Sequence, residues 1–373
     1  MKIVIDNKIP FIKGVLEPYA EVVYLPGDAI AYSDVVNADA LIVRTRTCCN
    51  ETLLKNSSVK FIATATIGYD HIDTGWCEAN GITWENAPGC NSGSVQQYMA
   101  SVLATLSTNF GFRFEDMTLG VVGVGNVGSK VAMLGKALGM EVLMNDPPRA
   151  EKEGLAQFVP LDEILSMSDI ITLHVPLICS GSHQTCHLFD KTTFDHLPHR
   201  TILINSSRGE VVDNKALKDI LKNRKIGAAA LDVWENEPFF DLELLPFINI
   251  ATPHIAGYSA DGKANGTAMS VQALSRFFKL PLTNWHPYEV PDPLQPSHFE
   301  LDCRGKSLQQ CLCEAIWHTY AVNEDDGNLR ASPASFEKQR GNYPVRREFS
   351  AFSVSAKNPI PEFEERLHAL GFK

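Results

Sequence analysis

The sequence predicts an α/β protein: a doubly wound parallel sheet at its centre, a second parallel-sheet unit before it and a smaller third unit after it. Three observations predict this. Short apolar runs alternate with segments of helix length through most of the chain, the rhythm of parallel strands joined by crossover helices. A glycine-rich turn containing Gly123, Gly125 and Gly128 stands between an apolar run and a helical one. Prolines at 281, 287, 291, 293 and 296 then interrupt the rhythm and separate the remaining tail, because proline removes a backbone donor and holds the chain extended.

In chain order, residues 2–5, 21–25, 40–43 and 60–63 read as buried strands separated by helical segments. Residues 98–106 form an apolar helix that leads into the second unit. That unit opens on the strand at 119–122 and continues with strands at 141–145, 170–173, 201–205, 228–232 and 249–251. Six strands in this arrangement suit a doubly wound dinucleotide-binding domain. A helix at 266–278 can return the chain to the first unit. In the tail, Leu308, Leu312, Ala315, Ile316 and Tyr320 fall at helical spacing and predict an amphipathic helix over 307–320.

Composition excludes several function classes. Of 373 residues 45% are hydrophobic and 21% charged, an ordinary globular balance. A formal net charge of −11 repels phosphate backbones and anionic lipid, so neither nucleic acid nor membrane is an expected partner. No stretch approaches the ~20 apolar residues of a membrane span. Residues 1–10 alternate charged and apolar side chains without the apolar core of a signal peptide. The nine cysteines contain no pair spaced Cys-x-x-Cys, so reduced thiols in the cytoplasm are expected. Cys179, His183, Cys186 and His187 lack regular zinc spacing and read as a polar loop, so no metal is expected.

Gly123, Gly125 and Gly128 predict a dinucleotide site. The first makes the tight turn, the second admits pyrophosphate to the backbone, and the third lets the helix pack on the strand. The helix that follows, stopped at Gly139, presents N–H groups and a positive dipole end. Asp146, 18 residues beyond Gly128 at the end of the next strand, can accept from ribose hydroxyls. Its carboxylate would repel a 2′-phosphate, which predicts NAD over NADP, with Arg149 nearby tempering the preference.

Three further segments end predicted strands at the carboxyl edge, where doubly wound sheets bind ligands: residues 205–210, 231–238 and 252–258. Removing hydride from a C–OH carbon requires a base for the hydroxyl proton. It also requires a cation for the carboxylate and emerging carbonyl, and a group that holds the base. His254, Arg208 and Glu237 supply those functions in that order.

At these residues the sequence resembles the D-isomer-specific 2-hydroxyacid dehydrogenase family. The resemblance spans about residues 1–285 and assigns catalysis to Arg208, Glu237 and His254. It implies cofactor contacts at Gly123, Gly125, Asn126, Val127, Gly128, Asp146, Val175, Ser206, Asp232 and Gly257. One departure from the family's pattern lies in residues 173–177, where members often carry a hydroxyl after His-Val-Pro or nearby; any cofactor contact there must come from backbone or packing at Val175. The resemblance also implies a bipartite, flavodoxin-like substrate-binding domain of residues 1–97 and 267–285, and an NAD-binding domain of residues 98–266. Residues 286–373 would be a linker and a C-terminal α+β dimerisation domain, making the protein a homodimer.

Residues 1–10, 44–47, 65–73 and 88–92 carry a closer resemblance, to members of the family that act on a small phosphorylated hydroxy acid. The residues support that substrate. Arg44, Thr45 and Arg46 supply guanidinium and hydroxyl donors suited to phosphate, and alternation along a strand would place both arginines on one face. The Thr66–Tyr69 turn can offer N–H groups to a carboxylate, with Gly68 permitting close approach, and the Tyr258 phenol can reach the phosphate. Two alternatives remain open: a sister dehydrogenase acting on 3-phosphoglycerate or another 2-hydroxy acid, and a non-catalytic protein that senses NADH.

Overall fold

A computed structural model of the chain describes residues 1–154 and 157–373. The chain divides into two compact units, Met1–Asn91 with Ser259–Pro291, and Ser92–Tyr258 with Asp292–Lys373. Two of the three crossings between units fall at the start of a helix, several residues before positions 98 and 267 where the sequence alone suggests them, and the third follows Pro291.

The first unit is a five-stranded parallel sheet of β1 (Lys2–Asp6), β2 (Glu21–Leu25), β3 (Ala40–Val43), β4 (Phe61–Thr64) and β5 (Thr83–Glu85). Its order is β2-β1-β3-β4-β5, the flavodoxin-like arrangement. The inner strands are buried on both faces, which is why they read as unbroken apolar runs. Ile3 and Ile5 pack with Ile12, Leu16, Val271 and Leu274, while Val4 faces the opposite side with Leu41, Val43 and Ile62. Helix Ala260–Phe278 begins six residues before the predicted start, capped by Ser259, whose hydroxyl accepts from the Gly262 N–H at 2.8 Å. Gly266 is therefore an interior residue. A Cβ there would come within 2.7 Å of the Ala65 carbonyl oxygen, so the glycine serves close packing of helix on sheet.

The second unit holds β6 (Thr118–Val122), β7 (Glu141–Asn145), β8 (Ile170–Leu173), β9 (Ile202–Asn205), β10 (Ala228–Leu231) and β11 (Ile250–Ala251). All pair in parallel in the order β11-β10-β9-β8-β6-β7. Strand order reverses at β6, so the turn after it opens at the topological switch point. Beyond β7, the Val159 N–H donates to the Met144 carbonyl and the Asn145 side-chain amide to the Val159 carbonyl, each at 2.8 Å.

Helix Ser92–Phe110 is longer than the predicted 98–106 and is buried on almost every side, as expected of a helix whose apolar and small residues run all round it. It packs against helix Asn126–Leu138 and also against the tail helices Leu308–Thr319 and Val322–Ala331. The tail adds a parallel pair, β12 (His298–Asp302) and β13 (Ser353–Lys357). Leu312, Ala315 and Ile316 on the tail helix join the same buried cluster as Leu103, Leu134 and Val121. The apolar face predicted for that helix is thus covered within this chain. No helix among the described residues is long and apolar enough to cross a membrane.

Candidate active site

The turn after β6 has the geometry its three glycines predict. Gly123 adopts φ +84°, and a Cβ there would lie 2.7 Å from the His174 backbone and from Val175 Cγ1. At Gly128 a Cβ would stand 1.9 Å from the Gly123 oxygen, which no side chain can meet. At Gly125 nothing lies within 4 Å, leaving room above the first turn of helix Asn126–Leu138, whose N-terminus has no side-chain cap. The N–H groups at Asn126 and Val127 therefore face an open approach suited to pyrophosphate.

Asp146 closes this site at the end of β7. One carboxylate oxygen accepts the Val124 N–H at 2.8 Å and the other the Arg149 N–H at 3.1 Å, and each oxygen keeps a lone pair for a ribose hydroxyl. The Arg149 guanidinium pairs with Glu153 at 2.7 and 2.8 Å and donates to the Val124 carbonyl at 2.5 Å. Glu153 thus shares the Arg149 charge at the half-exposed rim of the site, which weakens its pull on a 2′-phosphate. Val175 packs against the Gly123 turn. Ser206, after β9, has a buried Oγ with no partner among the described residues, as expected of a group that completes its bonding on a ligand. These features fit a bound NAD.

The second cluster lies at the ends of β9, β10 and β11. Asn205 organises the first turn: its oxygen accepts from the Ser207 N–H and hydroxyl at 3.1 and 2.9 Å, and its amide donates to the Arg208 carbonyl at 2.8 Å. The Arg208 Nη1 donates to the Ser207 carbonyl at 2.8 Å. Gly209 brings this turn onto the next; a Cβ there would collide with the Trp234 carbonyl at 2.1 Å. Glu237 accepts the Trp234 N–H on Oε1 at 2.9 Å and meets His254 Nδ1 through Oε2 at 2.7 Å. With both carboxylate oxygens engaged, Nδ1 carries the hydrogen, and Nε2 of the partly exposed ring has no partner among the described residues.

His254 itself has φ +56°, a left-handed conformation uncommon outside glycine. Its backbone N–H donates to the Asp232 carbonyl at 2.7 Å. The Asp232 carboxylate, 1% exposed, accepts the Thr252 hydroxyl at 2.6 Å and the N–H groups of Ile255 and Ala256 at 2.8 and 2.9 Å. Asp232 thus anchors the turn that presents His254 and is followed by the half-buried Gly257 and Tyr258. Sequence reasoning missed the supports of this turn: Tyr98, whose hydroxyl meets Thr252 at 2.9 Å, and Trp234, whose indole donates to the Thr252 carbonyl at 3.0 Å. It also missed His174, held by Thr172 at 2.9 Å, whose buried Nδ1 has no partner among the described residues; burial pushes its pKa down to about 3.

In the first unit, Arg44, Thr45 and Arg46 leave the sheet after β3 and form a turn closed by the Thr47 N–H on the Arg44 carbonyl. The alternation expected of a strand therefore does not set the facing of the two arginines. Arg44 donates to the Lys8 carbonyl at 3.3 Å, and Thr45 and Arg46 are exposed. Thr66 bonds Thr64 at 2.7 Å and the Gly68 carbonyl at 2.9 Å, and His71 continues the chain to Thr64 at 3.1 Å. Asn86 donates to the Ile67 carbonyl at 2.7 Å. Both supports hold the Thr66–Tyr69 turn, whose Gly68 and Tyr69 N–H groups have no protein partner among the described residues.

A doubly wound nucleotide unit with an arginine and a carboxylate-held histidine at its strand ends defines an NAD-dependent 2-hydroxyacid dehydrogenase. Comparison with known proteins agrees. Residues 94–256 match the D-isomer specific 2-hydroxyacid dehydrogenase NAD-binding domain, and residues 295–371 match a family described only as a domain of unknown function. Erythronate-4-phosphate dehydrogenase of Bacteroides fragilis is 48% identical, over 95% of this chain and 99% of its own length. That of Proteus mirabilis is 41% identical over 100% and 99%. Among solved structures, D-lactate dehydrogenase of Aquifex aeolicus in complex with NAD and lactic acid superimposes with a TM-score of 0.63 at 26% identity, covering 78% of this chain and 100% of that one. The chain belongs to the erythronate-4-phosphate dehydrogenases, a branch of the D-isomer-specific 2-hydroxyacid dehydrogenase family.

Proposed function

We propose that this enzyme oxidises the C2 hydroxyl of 4-phospho-D-erythronate to give 3-hydroxy-2-oxo-4-phosphooxybutanoate, a step of pyridoxal 5′-phosphate biosynthesis, in the cytoplasm. NAD, when bound, accepts the hydride. His254 Nε2 takes the hydroxyl proton while Glu237, already on Nδ1 at 2.7 Å, keeps the ring oriented and stabilises the imidazolium that forms. Arg208 holds the C1 carboxylate and steadies the charge that gathers on the carbonyl oxygen. Arg44, Thr45, Arg46 and Tyr258 bind the phosphate, and the Thr66–Gly68 turn supplies N–H groups to the carboxylate. In this reading the first unit binds substrate, the second binds NAD, and the tail carries the contact of a homodimer.

The observation that carries the reading is the Glu237–His254 pair, a base with one nitrogen fixed and the other open at the end of a nucleotide-binding sheet. It favours an enzyme over a protein that only senses NADH, since sensing needs no oriented base. The test is NADH absorbance with a panel of substrates. We expect 4-phosphoerythronate to exceed 3-phosphoglycerate, lactate and unphosphorylated erythronate in kcat/KM, and a best rate with 3-phosphoglycerate would overturn the assignment.

A further inference from the structure

The tail touches the segment that carries His254 on both sides. Before it, the Asp326 carboxylate accepts the Ala251 N–H at 2.7 Å, and Arg330 locks Asp326 in place with bonds of 2.9 Å. Arg330 also donates to the carbonyls of Leu245 and Ile248 at 3.1 and 2.6 Å, just ahead of β11. After it, Arg346 Nη2 donates to the Ala256 carbonyl at 2.5 Å. Arg346 is only 5% exposed and lies over the Tyr320 ring at 4.5 Å. The phenols of Tyr320 and Tyr343 both donate to Asp325 at 2.7 Å, and Tyr343 stands edge-on to Tyr258 at 5.7 Å.

Two features ask for such a brace. A non-glycine residue held at positive φ is strained and persists only where its surroundings over-determine it. Burying Arg346 against the half-buried Asp325 is costly unless the hydrogen bonds of both are met, and apolar side chains would join two elements at less expense. The Arg346 guanidinium ends on a backbone carbonyl two residues beyond His254, where a directional bond fixes a turn as an apolar contact does not.

We propose that the tail, residues 292–373, is part of the catalytic apparatus: Asp326 and Arg346 are positioning residues that clamp residues 251–256 and hold His254 in its left-handed conformation. This rests on His254 acting as the base. Displacement of a reacting group by a remote change can cost roughly 10²-fold in rate, so the full-length Arg346→Gln variant is expected to lose kcat by about that factor. Its affinity for NADH, read by fluorescence, stays within about twofold, because the glycine turn and Asp146 are untouched. Arg346→Lys, which retains a cationic donor for the Ala256 carbonyl, recovers most of the loss, as a merely space-filling arginine would not require.

Should Arg346→Gln not fold, Asp326→Ala carries the same two readouts from the other flank. A folded Arg346→Gln or Asp326→Ala enzyme with unchanged kcat would overturn the proposal, as would Arg346→Lys no better than Arg346→Gln. His254→Ala measured alongside separates the two levels: if it retains turnover, the assignment of the base has failed and not the brace.

Discussion

At the scale of single residues, the chemistry depends on which atom of a side chain is left open. Glu237 occupies Nδ1 of His254 and leaves Nε2 open. Replacing His254 by alanine should lower kcat by roughly the 10²–10⁴-fold typical of general acid–base groups, while Glu237→Gln, which preserves the shape and one acceptor, should cost less. Near-normal turnover in His254→Ala, followed as NADH formation, would rule out the base. His174 makes a second prediction. In the unfolded chain a histidine takes up its proton near pH 6.5, whereas burial delays this one to about 3. Between those values the unfolded chain holds more protons, so stability falls as pH drops, by up to about 1.4 kcal/mol per pH unit. His174→Gln, which keeps a nitrogen for Thr172, should flatten the loss of stability between pH 6.5 and 5 in urea titrations; an unaltered slope would show that His174 is not its source.

At the scale of elements, the strand–turn–helix from β6 to Leu138 and the end of β7 act together on the cofactor. Asp146 joins them, because its carboxylate accepts an N–H from the glycine turn and caps the helix Pro147–Glu153. A 2′-phosphate would meet that carboxylate and find Arg149 already paired with Glu153. The enzyme should therefore prefer NAD to NADP by at least an order of magnitude, the cost of about 1.4 kcal/mol of repulsion. Asp146→Ala should narrow the ratio. Equal kcat/KM for the two cofactors in the unaltered protein would contradict this account of the ribose site.

At the scale of the molecule, the tail belongs to the core of the nucleotide-binding unit. Leu301, Leu312, Ile316, Phe352, Phe363 and Leu370 are buried with residues of helices Ser92–Phe110 and Asn126–Leu138. Each large side chain buried contributes about 1.5–3 kcal/mol, so together they rival the roughly 5–15 kcal/mol of net stability a domain possesses. Truncation after Pro291 should accordingly abolish cooperative unfolding of the second unit rather than release a well-folded monomer. A truncated chain with an unchanged melting transition by circular dichroism would refute this. A homodimer, the expectation for the full chain, is then best tested by sedimentation of the intact protein.

Local features follow from the residues alone. The alternation of buried strands and helices, the Gly123–Gly128 turn with Asp146 after it, and the strand-end positions of Arg208, Glu237 and His254 were all legible, because one strand, turn and helix encode them within a few dozen residues. Interior glycines were harder: Gly266 read as a helix start although it serves packing against Ala65. The turn at Arg44–Thr47 and the left-handed backbone of His254 were not legible, since neither leaves a periodic signal. Nor was the path by which the tail reaches the active turn. The bond from Arg346 to the Ala256 carbonyl spans 90 residues, and no spacing rule links positions so far apart. Packing sets that bond, because a buried guanidinium takes whichever carbonyl the folded core brings within its reach.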